Sequence, residues 1–244
     1  MHNPSDWHIA TVTSIVNETP DVKTITFTFV DPVRHLAGQH YEIRLTAEDG
    51  YQAARLYSAA SAADGSNKLQ LTIALVDDGE VTPYLFSNIK PGDRLELRGP
   101  LGKFFVWQPE NTDPVLLLGG GSGVVPLRCI LQAHASAEST APIQLIYGVR
   151  SYDDIIYKKE LLAPHSPALI TIAGEHPAAW QGNTGLINDS LVREALNTLS
   201  SASTPPLCYV CGSTPFVELA TGLLAAADIP PMHIKAERFG PAAR

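Results

Sequence analysis

Four apolar residues, Val115-Leu-Leu-Leu118, run directly into Gly119-Gly-Gly-Ser-Gly123, and then into Val124-Val-Pro126 and a helical pattern that reaches Ala135. A short continuous apolar run bounded by turn residues reads as a strand buried on both faces. Glycines between such a strand and a helix allow a tight turn and leave main-chain N–H groups open to an anion. The residues that follow keep the alternation. Ile143–Tyr147 leads to a helix expected near Asp153–Leu162, and Ala168–Ile172 leads, after a long polar loop, to one at Asp189–Leu199. Leu207–Val210 leads to a helix near Pro215–Ala227, and His233–Ala236 closes the series. This pattern predicts a doubly wound parallel sheet with helices on both faces.

The residues before this region follow another rule. Thr24-Ile-Thr-Phe-Thr-Phe29 alternates polar and apolar with the period of a half-buried strand. His8–Val16, Gln39–Leu45, Leu69–Val76 and Arg94–Leu97 read similarly. Turn chemistry separates them at Glu18-Thr-Pro-Asp21, Glu48-Asp-Gly50, Ala63-Asp-Gly-Ser-Asn67 and Lys90-Pro-Gly-Asp93. Short strands at this spacing predict a small antiparallel β-barrel, interrupted by a helical turn over Val81–Asn88. The pattern changes near Gln108-Pro-Glu-Asn-Thr-Asp-Pro114, which divides the chain into a barrel domain, 1–108, and an α/β domain, 109–244. Ser203-Thr-Pro-Pro206 reads as a loop before a strand.

With 45% apolar and 17% charged residues, the 244-residue chain has the composition of a folded soluble protein with one large or two modest cores. Its apolar runs fall far short of the roughly 20 residues that cross a bilayer, so no membrane span is expected. Met1-His-Asn-Pro-Ser-Asp6 has no basic region followed by an apolar one, so no secretory signal is read. Three cysteines, Cys129, Cys208 and Cys211, argue against a disulfide framework and for a reducing, cytoplasmic setting. Cys208 and Cys211 have Cys-x-x-Cys spacing, but strand pleating points them to opposite faces, and no partner pair completes a metal site. A net charge of −8 opposes non-specific nucleic-acid binding. It also requires any acidic redox partner to dock on a local basic patch.

In the front half, Arg55-Leu-Tyr-Ser-Ala-Ala-Ser61 places a cation, an aromatic ring and hydroxyls on one strand, with Arg55 and Tyr57 on one face and Ser58 on the other. Tyr57 is suited to stack on a flat ring, Ser58 to bond its polar edge and Arg55 to meet a phosphate. The same residues also fit an ordinary strand with a surface arginine. Downstream, Gly79-Glu-Val-Thr-Pro-Tyr-Leu85 supplies a glycine turn, a hydroxyl at Thr82 and Pro83 at a first helical position. Thr82 fits an anion site and a helix N-cap equally.

These motifs, in this order, resemble the ferredoxin–NADP reductase superfamily, whose flavin motif reads Arg-x-Tyr-Ser/Thr. The resemblance runs from about Trp7 to Pro241 and assigns Arg55, Leu56, Tyr57 and Ser58 to the flavin. A Gly-x-x-Ser/Thr element, matched by Gly79, Val81 and Thr82, binds the FAD pyrophosphate in that family. The stretch Gly92-Asp93 through Gly99-Pro100-Leu-Gly102, followed by Phe104, matches the family's barrel-closing segment, although turns and a strand alone also account for it. The family's glycine pattern, Gly-Gly-Gly-Ser/Thr-Gly-Ile/Val-x-Pro, is met through Pro126, which implies that Gly120, Gly121, Ser122 and Gly123 line the nicotinamide dinucleotide. Cys211 and Gly212 match a Cys-Gly-x-x-x motif at the nicotinamide end. Near the C-terminus, Phe239 matches an aromatic that covers the flavin in relatives, with Glu237 as a proton carrier; Phe239 also fits a simple plug between domains. Arg150 and Ser151 either hold a 2′-phosphate or end a strand in solvent. With Lys158 and Lys159 they lean the reading to NADPH, whereas Leu186, where relatives often carry arginine, weakens it.

The resemblance implies an FAD-dependent NAD(P)H oxidoreductase, a monomer or weak dimer, with Ser58, Cys211, Glu237 and Phe239 nearest the chemistry. Hydride passes from NADPH or NADH to the flavin, and electrons go on to a ferredoxin, a flavodoxin or an oxygenase component. Two alternatives stay open: reduction of free flavin or another small acceptor, and service as an electron-transfer or regulatory subunit of a larger complex. The sequence shows no four-cysteine cluster of the kind a [2Fe–2S] domain needs, so a reductase without that domain is expected.

Overall fold

The computed structural model describes residues 5–200 and 204–240. Met1–Pro4, part of the stretch read for a secretory signal, lie outside the described residues. So do Ser201–Ser203, at the start of the proline-rich loop, and Pro241–Arg244, the end of the tail. The chain forms two compact units, one built from residues up to Gln108 together with Arg128–Ala137, the other from Pro109–Leu127 and the residues from Glu138 on.

Six antiparallel strands make the first unit: β1 (His8–Thr19), β2 (Val22–Thr28), β3 (His40–Thr46), β4 (Gln52–Ser58), β5 (Lys68–Ala74) and β6 (Arg94–Leu101), in the order β4-β3-β6-β1-β2-β5. A bridge between Ala59 and Leu71, with Ala60 N donating to Gln70 O at 2.9 Å, joins the two ends of that order and closes the barrel. Inward positions follow the period-two pattern: Ile25, Phe27, Ile43, Leu69, Leu71, Ile73 and Leu97 are all fully buried. Thr24 breaks the pattern by being buried too, and its hydroxyl is satisfied by Thr72 and Glu18, each at 2.8 Å. The expected helical turn appears as α1 (Thr82–Ser87).

The loop before β3 is pinned by His35. Its Nε2 lies 2.8 Å from Ser61 O, and its Nδ1 lies 3.3 Å from the Tyr41 hydroxyl. A neutral ring with its proton on Nε2 serves both bonds, whereas a charged ring loses the acceptor. Desolvation holds the His35 pKa below its ordinary value despite the Ser61 bond and Asp64.

The second unit is a parallel sheet of β7 (Val115–Gly120), β8 (Ile143–Val149), β9 (Ala168–Ile172), β10 (Asn183–Thr184), β11 (Leu207–Gly212) and β12 (Ile234–Arg238), ordered β10-β9-β8-β7-β11-β12. Its helices are the start of α2 (Val124–Ser136), whose residues from Arg128 on belong to the first unit, with α3 (Lys158–Leu161), α4 (Asp189–Leu199) and α5 (Thr214–Ala226). Leu116, Leu118, Ile146, Cys208 and Val210 form one face and pack against Leu191, Val192 and Ala195 of α4 and Val217, Ala220 and Leu224 of α5. On the other face a side chain at Gly119 would meet Val124 and Leu127 of α2, and the Tyr147 hydroxyl accepts from Ile156 N at 3.3 Å. Helical segments therefore cover both faces, and strand order reverses between β7 and β11. Among the described residues no helix is long and apolar enough to cross a membrane.

Several expected bounds differ: β1 runs on to Thr19, β6 runs through Gly99-Pro100 to Leu101, and two differences fall in the α/β unit. The helix expected over 153–162 is split into a 3₁₀ turn at Tyr152–Asp154 and the four-residue α3, with Tyr157 left-handed at φ 56° between them. Ile155, Ile156 and Tyr157 are all buried. Three successive helical residues fan over about 200°, too wide to face one sheet, so the chain leaves the helix to bury them. The last strand starts one residue later than expected and runs on to Arg238, pairing Glu237 with Cys211 and Arg238 with Gly212.

Gly123 is the tightest point of the β7–α2 turn, because a Cβ there would fall on the carbonyl of Cys211. Gly123→Ala is expected to cost up to about 3 kcal/mol by overpacking, read as a lower denaturant midpoint. A wild-type midpoint would show that the approach relaxes freely. His35 gives a pH-dependent counterpart. Below pH 6.5 the unfolded chain binds a proton that the folded one resists, so this contribution is complete above 6.5 and is lost as pH falls through the folded value. His35→Gln is expected to flatten the acid limb of stability against pH, and an unchanged slope would contradict that role.

Candidate functional site

In the first unit the candidate residues lie on β4 and on the turn before α1. Arg55 and Tyr57 share a face as expected, and Ser58 is buried on the other. Arg55 Nη2 pairs with Glu80 Oε2 at 2.8 Å, while Nη1 donates to Ala54 O at 2.8 Å. The other Glu80 oxygen accepts from the Tyr51 hydroxyl at 2.8 Å. Leu56 is exposed, at 56%. The Tyr57 hydroxyl is buried with no hydrogen-bond partner among the described residues, and burial raises its pKa.

Thr82 departs from its N-cap reading. The cap position falls on Val81, and Thr82 is the first helical residue. Its hydroxyl instead bridges the turn, accepting from Val76 N at 3.0 Å and donating to Val76 O at 3.1 Å. Gly79 N also reaches Val76 O, at 2.9 Å. The Gly79–Thr82 backbone is thereby fixed as a loop, while the Glu80 side chain projects to Arg55.

A set of residues not singled out in the sequence holds the strand exit after Ser58. Arg128 Nη1 donates to Ala60 O at 2.8 Å and to Gln70 Oε1 at 3.1 Å. Cys129 Sγ donates to Ser61 O at 3.2 Å, and Gln132 Oε1 accepts from Ala62 N at 3.3 Å. One turn of α2 thus satisfies the backbone that follows the Arg-x-Tyr-Ser motif. The available signal was an arginine within the largely apolar run 124–132.

In the second unit the candidates gather at the carboxyl edge of the parallel sheet. Gly121–Gly123 form a 3₁₀ turn leading into α2. Cys211 lies between Gly119 on one side and Glu237 on the other, in register. Phe239 N donates to Gly212 O at 2.9 Å, which keeps the aromatic beside that glycine. Cys211 is completely buried, and burial, with Glu237 nearby, pushes its thiol well above the ordinary range. Burial raises the Glu237 carboxyl to about 7, so it exchanges a proton near neutrality.

Phe216 belongs to this edge and was missed. Its ring, in the first turn of α5, would lie 2.5 Å from a Cβ at Gly120, 2.9 Å from one at Gly212 and 3.4 Å from one at Gly148. Glycines ending three neighbouring strands leave a space that something must fill, and that was the available signal.

Arg150 and Ser151 follow directly on the end of β8, at the same edge. The Arg150 side chain is 83% exposed, with Nε 4.0 Å from Asp154 Oδ2. The same Asp154 oxygen accepts from Ser151 Oγ at 2.9 Å and from Ser151 N at 3.0 Å. Lys158 pairs with Asp153 at 3.3 Å and sits over the Tyr152 ring at 4.2 Å, so it is already engaged.

Two family models match the chain. Residues 9–106 match the "Oxidoreductase FAD-binding domain" model and residues 117–221 the "Oxidoreductase NAD-binding domain" model. The chain is 30% identical over 235 residues to the naphthalene 1,2-dioxygenase system ferredoxin–NAD(P)(+) reductase component of Pseudomonas putida, covering 95% of this chain and 68% of that protein. It is 34% identical over 233 residues to ferredoxin–NADP reductase B of Sorangium cellulosum (strain So ce56), covering 90% and 92%. Among solved structures it resembles the ferredoxin reductase in carbazole 1,9a-dioxygenase, with a TM-score of 0.82, 26% identity and coverage of 96% of this chain and 70% of that one. With both halves matched and relatives aligned along most of their length, the chain belongs to the ferredoxin–NADP reductase superfamily and is an oxidoreductase that binds FAD and NAD(P).

Proposed function

We propose that this chain is a reductase that takes electrons from a nicotinamide coenzyme through FAD and delivers them to a ferredoxin- or flavodoxin-type protein or an oxygenase component. The observation that carries the flavin assignment is the buried, unpartnered Tyr57 hydroxyl on the strand face that also bears Arg55. A buried polar group without a partner is costly unless a ligand completes it, so the barrel residues fit a flavin. FAD, when bound, supplies acceptance of two electrons from a nicotinamide and their release one at a time.

The chain's own residues position and shield. In this reading Tyr57 packs on the ring system, Leu56 adds apolar cover, and Ser58 bonds the polar edge. Arg55, with Gly79, Val81 and Thr82, meets the pyrophosphate. In the α/β unit, Gly120, Gly121, Ser122 and Gly123 carry the nicotinamide dinucleotide, with Cys211 and Gly212 forming the edge beneath its nicotinamide end. Phe239 borders that end, and Glu237 holds or releases a proton near pH 7. The three buried free thiols support a cytoplasmic location. The names of the dioxygenase-associated relatives support an oxygenase system as the destination.

For the coenzyme, the Asp154 carboxylate already engages Ser151 and lies near Arg150. A 2′-phosphate would meet that negative charge, which supports NADH over NADPH and reverses the lean given by Lys158 and Lys159.

The deciding experiment is the visible spectrum of the purified protein, followed anaerobically on adding each coenzyme. A yellow protein bleached faster by NADH than by NADPH is expected. A colourless protein that FAD does not reconstitute would overturn the reading, and faster bleaching by NADPH would overturn the coenzyme choice. Phe239→Ala is expected to leave the flavin spectrum intact and raise the coenzyme KM roughly three- to tenfold, the scale of a lost aromatic contact. Unchanged kinetics would remove Phe239 from the site.

A further inference from the structure

Glu80 lies inside the motif assigned to the pyrophosphate, yet its charge has the wrong sign for that ligand. Its carboxylate binds the flavin-motif arginine itself, Arg55 Nη2, at 2.8 Å. The second oxygen is held by the Tyr51 hydroxyl at 2.8 Å, so both ends of the carboxylate are satisfied. Tyr51 and Arg55 hold the Glu80 carboxyl below its ordinary range. The backbone around it is fixed by the Thr82 and Gly79 bonds to Val76. The side chains of the ion pair are each half-exposed, 51% for Arg55 and 50% for Glu80, so an entering anion can reach the guanidinium.

We propose that Glu80 is a built-in competitor for the cofactor: its carboxylate occupies the guanidinium that the flavin pyrophosphate needs, and Tyr51 holds it there. The inference rests on the assignment of FAD to this face of the barrel. Arginine binds carboxylate and phosphate through the same planar fork of donors, so the two anions contend for one geometry. An incoming pyrophosphate must turn Glu80 away or accept its charge alongside, and either lowers the affinity. The pair has the exposure of surface ion pairs, whose coupling is small, so Glu80 tempers binding without abolishing it. Tyr51 tunes this competition from a position that need not touch the cofactor.

The test is a titration of flavin-stripped protein with FAD, read by quenching of flavin fluorescence, in wild type, Glu80→Gln and Tyr51→Phe. Glutamine keeps the shape and removes the charge, and neither change disturbs the core. Glu80→Gln is expected to bind FAD about fivefold more tightly, the upper scale of an exposed ion pair, and Tyr51→Phe to shift affinity in the same direction by less. Equal or weaker binding by Glu80→Gln, with wild type still binding FAD, would overturn the competition and make Glu80 a buttress that orients Arg55. Failure of all three proteins to bind FAD would overturn the flavin assignment and this inference together.

Discussion

The carboxyl edge of the α/β unit depends on one close approach, that of Gly123 to the Cys211 carbonyl. With no side chain there, the turn leaving β7 can lie against the end of β11, and α2 can start where strand order reverses. The register that follows places Gly119, Cys211 and Glu237 side by side on three adjacent strands. A bulkier residue at 123 would push the turn away from β11 and open the edge that carries Phe239 and Glu237. Phe216 closes the same edge from the face of α4 and α5, against Gly120 and Gly212. The glycines therefore do two things: some bring backbone to backbone, and others make room for one ring.

The barrel achieves its geometry differently. Its closure rests on the Ala59–Leu71 bridge, at the exit of the strand that bears the Arg-x-Tyr-Ser motif. Arg128, Cys129 and Gln132 hold residues 60–62 by side-chain bonds to backbone. An irregular segment with unpaired N–H and C=O groups is costly when buried, and these three side chains remove that cost. Ser58 and Tyr57 thus sit at the end of a strand whose exit is held rather than free.

Much of this was legible in the residues. Period-two runs located the barrel strands, and an unbroken apolar run followed by glycines located β7 and its turn. The α4 start follows from Asn188, whose Oδ1 accepts from Leu191 N at 3.0 Å. What escaped were features set by tertiary packing. Ile155, Ile156 and Tyr157 read as part of a helix because local pattern carries no information about which face must be covered. The cap alternative for Thr82 failed because a hydroxyl before a helix has that local meaning, whereas its partners at Val76 lie across a turn. Phe216 and the Arg128 cluster were missed because their partners are distant in sequence and lie on other elements. Glu80 was passed over because motif reading records glycine and hydroxyl positions and ignores the variable residue between them.

The two arginines assigned to phosphate-bearing ligands share a property: each has a carboxylate close by. Arg55 meets Glu80 at 2.8 Å, and Arg150 has Asp154 at 4.0 Å. Such a carboxylate lowers the affinity for the ligand, because the arginine must change partners or share one site between two negative charges. The consequence differs between the two sites. A coenzyme that must leave after each turnover tolerates weak phosphate contacts, and a carboxylate that disfavours a 2′-phosphate also selects between coenzymes. A resident cofactor gains nothing from weakness. In the proposed reading the flavin site must recover affinity elsewhere, through burial of the ring system and completion of the Tyr57 hydroxyl. On that reading stacking and burial, more than the arginine, decide whether the flavin stays.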